Sequence, residues 1–315
     1  MLRYLRNCTV HADFQLLAFF GFTNIQYLLF SGILVMFIFA VLGNTLITTI
    51  VCLVSQLHTP MYFLLCNLSV QDIVYVCAIL PKVLAITLTG DNRISYPDCI
   101  TQMFFFTFCV GTEFFLLTTM AYDRYVAICV PLRYSLIMNR VVCVLLVTIC
   151  WFVGILNSLT HALLISKLSF CFSQELDHFY CDLKTLIKLS SSDTTHIQIL
   201  LSVECVFLGF LPFMLILASY ACIISAILKI RTSTGRIRVF SSCSSHLTVV
   251  FLFYVTSLSF YVKPETGKSQ EDKLVSLLYT AVVPMLNPLV YSLRNHDVLR
   301  AIKNFVGRDD LMSIS

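Results

Sequence analysis

Residues 30–69, FSGILVMFIFAVLGNTLITTIVCLVSQLHTPMYFLLCNLS, decide the fold class of this chain. They belong to a longer stretch, residues 14–71, that contains no Asp, Glu, Lys or Arg. At ~1.5 Å per residue, a single helix of that length would far exceed the ~30 Å hydrocarbon core of a bilayer. The stretch must therefore fold back on itself, and the polar, proline-containing residues 55–61 are the predicted turn.

The composition of the whole chain is that of a membrane protein. Of its 315 residues, 58% are hydrophobic and 12% are charged, and the mean hydropathy is +0.87. Soluble domains are roughly 45–50% apolar and about 25% charged, so this chain has too few charged residues to cover a water-soluble core. The net charge of +4 is small and spread along the chain. We therefore expect membrane lipid, and no nucleic acid, among its partners.

Seven apolar segments are each long enough to cross a membrane. The predicted fold class is an all-α membrane protein, a seven-transmembrane-helix bundle with a short amphipathic C-terminal helix. The spans are predicted at residues 27–54, 60–88, 98–130, 141–165, 195–228, 239–262 and 274–293. The last helix is predicted within residues 295–308 and lies on the membrane surface, with a solvated tail as the alternative. Its apolar stripe is Val298, Leu299, Ile302, Phe305 and Val306.

An odd number of spans places the two ends of the chain on opposite sides of the membrane. The predicted division is an extracellular tail at 1–26, a seven-helix domain at 27–293 and a cytoplasmic tail at 294–315. Charge counting orients the chain only weakly, because the side that includes Arg124 has eleven Lys and Arg and the other side has ten. Asn7-Cys8-Thr9 is a glycosylation sequon that is usable only outside the cell. It favours an outer N-terminus with a glycan on Asn7.

Two acids inside the predicted spans lie at the same depth. By counting along their helices, Asp72 and Glu113 are both ~16–18 Å from the membrane edge near Arg124. Equal depth allows them to share one cation with Asn44 and Asn287. Carboxylates inside a bilayer are costly and are therefore candidate functional groups. The alternative is that one or both are protonated and hydrogen-bonded.

A third acid, Glu204, lies near the outer end of the fifth predicted span. We predict that it faces a ligand cavity and favours cationic or hydrogen-bond-donating ligands such as amines. The alternative is a neutral Glu204 bonded to a neighbouring helix.

Several motifs occur in a fixed order along the chain. Residues 120–129, MAYDRYVAIC, place Asp123, Arg124 and Tyr125 at the end of the third predicted span. GN at 43–44, LHTPMYFLLCNLS at 57–69, SY at 219–220, SSCSSHLTVV at 241–250 and PMLNPLVYSLRN at 284–295 accompany it. A lone Asp-Arg-Tyr is a weak signal, but the ordered set covers nearly the whole chain. In this set the chain resembles the olfactory receptors of the rhodopsin-like G-protein-coupled receptor family.

The resemblance implies a function. An odorant receptor binds a small odour molecule in a pocket within the helix bundle and activates a heterotrimeric G protein of the stimulatory type, which raises cyclic AMP. It would reside in the plasma membrane of olfactory cilia, would not be an enzyme, and would need no cofactor apart from a sodium ion at Asp72 and Glu113. The alternative is a rhodopsin-like receptor for a non-odour ligand, such as an amine, outside the olfactory system. Enzyme motifs and internal repeats typical of transporters are not found in the sequence.

The resemblance also assigns roles to residues. Arg124 is expected to be held by neighbouring groups at rest and to turn towards the G protein when the sixth helix moves outward. The coupling and switch residues are Asp123, Arg124, Tyr125, Tyr220, His246, Asn287, Pro288 and Tyr291. Helical spacing and the resemblance together give the ligand-binding residues Met103, Phe106, Thr107, Val110, Gly111, Glu204, Leu208, Tyr254, Ser257, Leu258, Tyr261 and Thr280. For these stripes, ordinary helix–helix contact is the alternative.

The chain contains 14 cysteines, of which four lie in polar connecting segments. The resemblance implies a disulfide between Cys99 and Cys181. It also implies a second bond from Cys171 to position 191, where this chain has Ser191. Cys171 is therefore expected to be free or to pair elsewhere, and Cys8 is the other cysteine predicted outside the membrane.

Overall fold

A computed structural model of the chain describes residues 13–18, 26–171, 173–229, 232–262, 269–294 and 298–301. Seven long helices, numbered 1 to 7 in chain order, form a bundle within these ranges. They are Gln26–Leu53, Pro60–Thr89, Tyr96–Cys129, Arg140–Ile165, Thr195–Leu228, Ser233–Val262 and a seventh that comprises Ser269–Leu277, Leu278–Val282 and Val283–Arg294. The connections contain short helices at Ser55–Leu57, Pro131–Arg133, Tyr134–Ile137 and Leu183–Leu189. The predicted seven-helix bundle is confirmed.

The surface of the bundle is apolar, as a membrane requires. Helices 1 to 5 and the Lys273–Tyr291 part of helix 7 are long and apolar enough to cross a bilayer, and helix 6 contains the shorter apolar segment Cys243–Ser257. On helix 4, Val141 is 77% exposed and Phe152 is 63% exposed. Such side chains would be unfavourable in water but are favourable against lipid. The chain is a multi-pass membrane protein.

The helix ends follow local sequence signals. Helix 2 begins with Pro60, whose missing N–H has no helical partner at that position. It ends at Gly90, which has φ of 75° and donates its N–H to Ile86 O at 2.9 Å. Helix 3 is capped by Ser95, whose hydroxyl accepts from Asp98 N at 3.2 Å. Helix 6 starts at residue 233 rather than the predicted 239, because its polar first turns extend beyond the apolar run on which the prediction was based.

Two helices contain wide π turns that were not predicted. In helix 5 the turn spans Cys205–Phe210, and in helix 7 it spans Leu278–Val282. Each turn is followed two residues later by a proline, Pro212 or Pro284. Proline cannot donate the usual helical hydrogen bond, and a widened turn accommodates that loss. Both turns lie in helices that carry candidate ligand residues.

Helix 3 forms the centre of the bundle and packs against helices 2, 4, 5 and 6. Glycines allow the closest helix approaches. A Cβ atom on Gly43 of helix 1 would lie 2.9 Å from Cγ of Pro288 in helix 7. A Cβ atom on Gly154 of helix 4 would overlap the side chain of Thr112 in helix 3. A larger residue at either glycine would push two helices apart.

One end of the bundle carries a small sheet that the sequence did not predict. Strand β1, Phe14–Leu16, lies between β2, Arg93–Ile94, and β3, Glu175–Leu176. β1 is antiparallel to β2 and parallel to β3. We call this end the disulfide end, because it also holds the bond between Cys99 and Cys181. The opposite end, at Asp123 and Arg124, is the Arg124 end.

Parts of the predicted tails lie outside the described residues. Of the predicted amphipathic helix, residues 298–301 are described; they are helical, and Val298 and Ala301 are buried. Ile302, Phe305, Val306 and the sequon at Asn7 lie outside the described ranges. The division into tails at 1–26 and 294–315 stays a prediction.

Candidate ligand pocket and switch

A layer of buried polar side chains joins helices 1, 2 and 7. Asn287 Nδ2 donates a hydrogen bond to Asp72 Oδ2 at 2.9 Å. Asn44 Nδ2 donates to the carbonyl oxygens of Pro284, at 3.1 Å, and Ala40, at 2.9 Å. The structure therefore brings Asp72, Asn287 and Asn44 into one region, as the sequence predicted.

Gln71 brings the second acid into this layer. Its amide nitrogen donates to Glu113 Oε2 at 3.2 Å and to Cys109 O at 3.1 Å. Gln71 was not singled out from the sequence, although it precedes Asp72 directly. Glu113 is 4% exposed and Asp72 is fully buried, so helix 2 and helix 3 share a polar contact deep in the bundle.

Five side-chain oxygens in the layer are buried and accept no hydrogen bond within the described ranges. They are Asn44 Oδ1, Gln71 Oε1, Asp72 Oδ1, Glu113 Oε1 and Asn287 Oδ1. A buried acceptor without a donor costs about 1–3 kcal/mol. An all-oxygen set of this kind suits a hard cation, whereas softer metals prefer nitrogen or sulfur ligands. No group of three or more His, Cys, Asp or Glu that could hold a metal occurs in the described part of the chain.

Towards the disulfide end, aromatic rings surround Phe106 of helix 3. The Phe106 ring lies 4.8 Å from the ring of Tyr180, 5.8 Å from Tyr75 and 6.2 Å from Tyr279, measured between centroids. Tyr180 belongs to the loop between helices 4 and 5, and it is fully buried. A loop residue thus forms part of the wall next to a predicted ligand residue. The position of Tyr180 was not predicted, because nothing local in the sequence indicates that a loop enters the bundle.

A second aromatic group connects helices 3, 5 and 6. Tyr254 lies 5.4 Å from Phe114, 4.7 Å from Phe213 and 5.6 Å from Phe253 between ring centroids. Phe253 also lies 6.0 Å from Tyr279 of helix 7. The two groups therefore form a continuous aromatic wall.

Three predicted ligand residues have buried hydroxyls that are not satisfied. Thr107 Oγ1, Ser257 Oγ and Tyr254 Oη make no hydrogen bond to any described residue. Thr280, in contrast, donates to Ser276 O at 2.8 Å. Buried hydroxyls normally find a partner, so those of Thr107, Ser257 and Tyr254 can bind a polar atom of a ligand or water.

The other predicted ligand residues occupy varied positions. Met103 and Val110 are buried, and Leu208 is half-buried in the π turn of helix 5. A Cβ atom on Gly111 would meet Gly154 Cα of helix 4 at 3.7 Å, so Gly111 lies on the helix 4 side of helix 3. The side chains of Leu258 and Tyr261 lie outside the described part of the structure.

Glu204 makes an ion-pair contact with helix 4. Its Oε2 lies 3.2 Å from Nε2 of His161, which is fully buried, while the Glu204 side chain is 18% exposed. His161 Nδ1 lies 3.0 Å from Asn157 O. Because a carbonyl can only accept, Nδ1 donates to it, and Nε2 is the ring nitrogen that faces the carboxylate. The contact resembles the alternative given above for Glu204, and its predicted role towards ligands stays a prediction.

At the Arg124 end, the Asp-Arg-Tyr residues contact two other segments. Tyr134, in the short helix after helix 3, donates its hydroxyl to Asp123 Oδ1 at 2.8 Å. Arg124 Nη2 contacts Met61 Sδ at the start of helix 2. Arg124 and Tyr125 are half-buried. Neither Tyr134 nor Met61 was singled out from the sequence.

His246 links helices 3, 5 and 6. Its Nε2 lies 3.1 Å from Leu117 O in helix 3, and its Nδ1 lies 2.7 Å from the hydroxyl of Tyr220 in helix 5. The Leu117 carbonyl can only accept, so Nε2 donates to it, and Nδ1 accepts from the Tyr220 hydroxyl. Arg124 is close enough to act electrostatically on Tyr220, His246 and Tyr291. Four of the predicted switch residues, Arg124, Tyr220, His246 and Tyr291, therefore lie close together, whereas Asn287 belongs to the polar layer.

Comparison with known proteins decides the family. The family model for olfactory receptors matches residues 33–308. This chain belongs to the olfactory receptor family. It is 41% identical to human olfactory receptor 2M2 over 96% of this chain and 87% of that protein. It is 45% identical to mouse olfactory receptor 2A7 over 94% of this chain and 96% of that protein, and 44% identical to mouse olfactory receptor 1M1 over 96% and 97%.

Membership gives this olfactory receptor its general function. The family is one of receptors rather than enzymes, and its members are G-protein-coupled receptors for odorants. An odorant receptor is thus the function that the motifs, fold and relatives support, and the alternative of a receptor for a non-odour ligand is not favoured.

The disulfide end of the olfactory receptor is held by several kinds of contact. Cys99 and Cys181 form the predicted disulfide, with their Cα atoms 5.4 Å apart. Lys273 at the start of helix 7 is buried, lies 2.7 Å from Asp177 Oδ1, and donates to Leu17 O at 2.5 Å and Ala18 O at 2.9 Å. One ammonium group therefore holds together helix 7, the loop and the N-terminal segment.

Two ionisable loop residues at this end have shifted pKa values. His178 Nε2 lies 3.1 Å from Ser276 Oγ, and burial together with the nearby Lys273 lowers the pKa of His178 to about 3. Asp182 caps the short helix Leu183–Leu189 by accepting from Thr185 N at 3.1 Å. Burial raises the pKa of Asp182 to about 6, although its bonds from Thr185 act in the opposite direction.

Cys171 is not free, because it is disulfide-bonded. Cys8, the other cysteine predicted outside the membrane, lies outside the described residues. The family position for the second bond is still adjacent, since Cys171 N donates to Ser191 Oγ at 3.0 Å. Of the two expectations for Cys171, pairing elsewhere therefore holds.

Proposed function

We propose that this olfactory receptor binds a small, weakly polar odour molecule between helices 3, 5, 6 and 7. We further propose that binding at the aromatic wall activates a stimulatory G protein at the Arg124 end and raises cyclic AMP. The observation that carries the ligand proposal is the pair of buried, unsatisfied hydroxyls of Thr107 and Ser257 beside that wall. Each hydroxyl is a suitable partner for a polar group on an otherwise apolar ligand.

The balance of contacts supports this ligand class. Burying apolar surface against the rings contributes about 25 cal/mol per Å², or roughly 0.8 kcal/mol per methylene. One hydrogen bond adds only about 0.5–1.5 kcal/mol. Affinity would therefore come mainly from ligand size and shape, while the hydroxyls would select alcohols, esters and ketones over hydrocarbons.

Removing the hydroxyls one at a time tests the pocket. The receptor is expressed with a cyclic-AMP reporter and screened with alcohols, esters, acids and amines. Ser257→Ala and Thr107→Val should each raise the half-maximal concentration of an active polar odorant by about 3–30-fold, the loss of one buried hydrogen bond. Thr148→Val is the matched control, because Thr148 is exposed on helix 4. Equal responses in all three variants would contradict the proposed pocket.

We place the Arg124 end in the cytosol and the N-terminus outside, at the surface of olfactory cilia. The disulfide Cys99–Cys181 at the opposite end supports this orientation, since disulfides form in oxidising compartments. An N-terminal epitope should be stained on intact cells, and Asn7→Gln should remove a glycan-dependent mass shift. Arg124→Gln should abolish the cyclic-AMP response without lowering surface staining. Staining of a C-terminal epitope on intact cells would contradict the orientation.

We also propose a sodium ion in the polar layer. The support is the set of buried oxygens of Asp72, Glu113, Asn44, Asn287 and Gln71 described above, which need a cation or protons. Bound sodium would supply the positive charge that two buried carboxylates lack. The unfolding temperature of the purified receptor should be higher in sodium chloride than in N-methylglucamine chloride at equal ionic strength. Asp72→Asn should remove the difference, and an unchanged difference would contradict the site.

A further inference from the structure

We propose that Gln102 of helix 3 is a positioning residue for ligand recognition. It fixes the orientation of the loop residue Tyr180 in the aromatic wall and thereby sets the size of ligand that the pocket accepts. This role rests on the proposed function, because it requires odour molecules to bind beside that wall. Gln102 was not singled out from the sequence.

Both polar atoms of the Gln102 side-chain amide form hydrogen bonds. Oε1 accepts from Cys181 N at 2.9 Å, and Nε2 donates to Ala78 O of helix 2 at 3.0 Å. Gln102 is 6% exposed and Cys181 is fully buried. A backbone N–H can only donate and a carbonyl can only accept, so one orientation of the amide satisfies both. One side chain therefore joins helix 2, helix 3 and the loop between helices 4 and 5.

The loop meets helix 3 along a single stripe. Cys99, Gln102 and Phe106 follow each other at spacings of three and four residues, which places them on one face of the helix. Along that face Cys99 bonds to the Cys181 sulfur, and Gln102 accepts from the Cys181 N–H. Phe106 then contacts the Tyr180 ring, with the centroids 4.8 Å apart. Gln102 thus lies between the disulfide and the aromatic wall.

The geometry of the peptide bond transmits this contact to Tyr180. The disulfide holds the Cys181 side chain, but rotation about its single bonds leaves the preceding backbone able to turn. The Cys181 N–H and the Tyr180 Cα belong to the same peptide unit, and that unit is planar. Holding the N–H therefore fixes the plane from which the Tyr180 side chain extends. Without Gln102, the buried N–H would lose its acceptor, which favours a turn of this peptide unit.

A turned Tyr180 would alter the space left for a ligand. Its ring is fully buried beside Phe106, a predicted ligand residue. Because protein interiors are close-packed, moving one ring changes the volume at the disulfide end of the wall. The change should act on ligand length, since Gln102 would remain beyond the ring and would present no polar group to the ligand.

Straight-chain alcohols and methyl esters that differ by one methylene test this role in cells that express the full-length receptor. The cyclic-AMP reporter gives a half-maximal concentration for each ligand, and the ratio between successive members measures the length preference. Gln102→Met keeps the length of the side chain but loses both hydrogen bonds. It should change the ratio at the preferred length by roughly 4-fold, the effect of one buried methylene.

The matched control is Gln198→Met, because Gln198 is exposed on helix 5. It should leave the ratios unchanged. A purely structural role of Gln102 would scale all responses alike through surface expression and would also leave the ratios unchanged. Wild-type ratios in Gln102→Met would therefore overturn the positioning role. A wild-type receptor that responds to neither ligand series would instead overturn the proposed function.

A double variant tests whether Gln102 acts through Tyr180. Tyr180→Leu removes the ring, so adding Gln102→Met should leave the ratios at the values of Tyr180→Leu alone. An equal further shift in the double variant would overturn the role assigned to Gln102.

Hydrogen exchange in the purified wild-type receptor provides a test that needs no variant. The Cys181 amide should exchange roughly 10-fold more slowly than the amide of Ser173, which is exposed in the same loop, because a hydrogen bond must open first. Mass spectrometry with fragmentation of the digested loop resolves the two amides. Equal exchange rates would overturn the proposal even if Gln102→Met failed to reach the cell surface.

Discussion

The two ends of the bundle are held together by different kinds of contact. The disulfide end has a covalent bond between Cys99 and Cys181, a three-stranded sheet, and the buried ammonium of Lys273. Among the described residues of the Arg124 end, the contacts include hydrogen bonds from Tyr134 to Asp123 and from Tyr220 through His246 to helix 3, and no disulfide. A disulfide stabilises by several kcal/mol, whereas one hydrogen bond contributes about 1 kcal/mol.

This difference indicates where the receptor can move. A change of shape needs two arrangements that are close in free energy. At the Arg124 end, separating helix 6 from helix 3 breaks the hydrogen bond from His246 to Leu117 O. At the disulfide end, the same displacement would strain a sheet and a covalent bond. The ligand wall thus adjoins the braced end, while the proposed G-protein surface lies at the end that opens.

The largest effect is expected from removing the disulfide between Cys99 and Cys181. Cys99→Ser opens a loop of 82 residues, and the loop-entropy estimate for that length is roughly 4 kcal/mol. Such a loss is comparable to the whole stability of many domains. We expect surface staining of Cys99→Ser to fall to a small fraction of the wild-type value, with the remaining receptor unfolding at a much lower temperature.

The matched control is Cys77→Ser, because Cys77 is free and exposed. It should retain wild-type surface staining and unfolding temperature. Equal behaviour of the two variants would show that the disulfide end does not depend on its covalent bond.

At the Arg124 end, replacing His246 should remove the hydrogen-bonded link between helices 3, 5 and 6. His246→Phe keeps a ring but loses the bonds to Leu117 and Tyr220. If these bonds exist only while helix 6 is closed, their loss favours opening by about 1–2 kcal/mol, or roughly 5–30-fold in the equilibrium. Ligand-free cyclic AMP should rise accordingly at equal surface expression. Tyr220→Phe removes one of the bonds and should give a smaller rise, whereas a fall in both variants would contradict the closed link.

The same contrast explains what could be predicted from the sequence. The seven helices follow from hydropathy because each span must bury its own backbone bonds, and the predicted ends lie close to the observed ones. The polar layer around Asp72 and Asn287 could be predicted from the sequence, because the depth of a residue in the membrane follows from the helical rise. The disulfide between Cys99 and Cys181 was predicted from the resemblance to a family and not from the spacing of the cysteines.

What could not be predicted depends on partners distant in sequence. β2 and β3 have two residues each, too few for a period to be recognised. Lys273 and His161 are single polar residues whose roles depend on Asp177 and Glu204, which only the folded bundle brings near. The π turns were missed because the prolines signal a weakened helix but not how the backbone adjusts.

A change of pH should alter the stability of the disulfide end through two loop residues, His178 and Asp182. His178 has its pKa lowered to about 3 in the fold from an ordinary 6.5, so the unfolded state binds more protons between those values. Stability should therefore fall as pH decreases below 6.5. Asp182 has its pKa raised to about 6 from 3.8, so the folded state binds more protons in that window. Its contribution should increase stability as pH decreases below 6.

Variants separate these opposing contributions. Asp182→Asn keeps a capping oxygen and should lose about 2 kcal/mol of stability between pH 7 and pH 5, through His178 alone. His178→Gln should gain about 1 kcal/mol over the same interval, through Asp182 alone. Thermal unfolding at the two pH values, followed with a thiol-reactive dye, measures both. Slopes of the same sign would show that the two groups are not buried as described.

The smallest effect is expected from the contact between Glu204 and His161, which joins helices 5 and 4 between the disulfide end and the Arg124 end. We expect this pair to brace helices 4 and 5, so Glu204→Gln and His161→Gln should each cost about 1 kcal/mol of stability. The double variant should cost no more than either single variant, because the interaction is already lost. Responses to amines, alcohols and esters should then change together, by a few-fold. A loss restricted to amines in Glu204→Gln, without a matching loss in His161→Gln, would instead make Glu204 a ligand-facing group and extend the pocket towards helix 5.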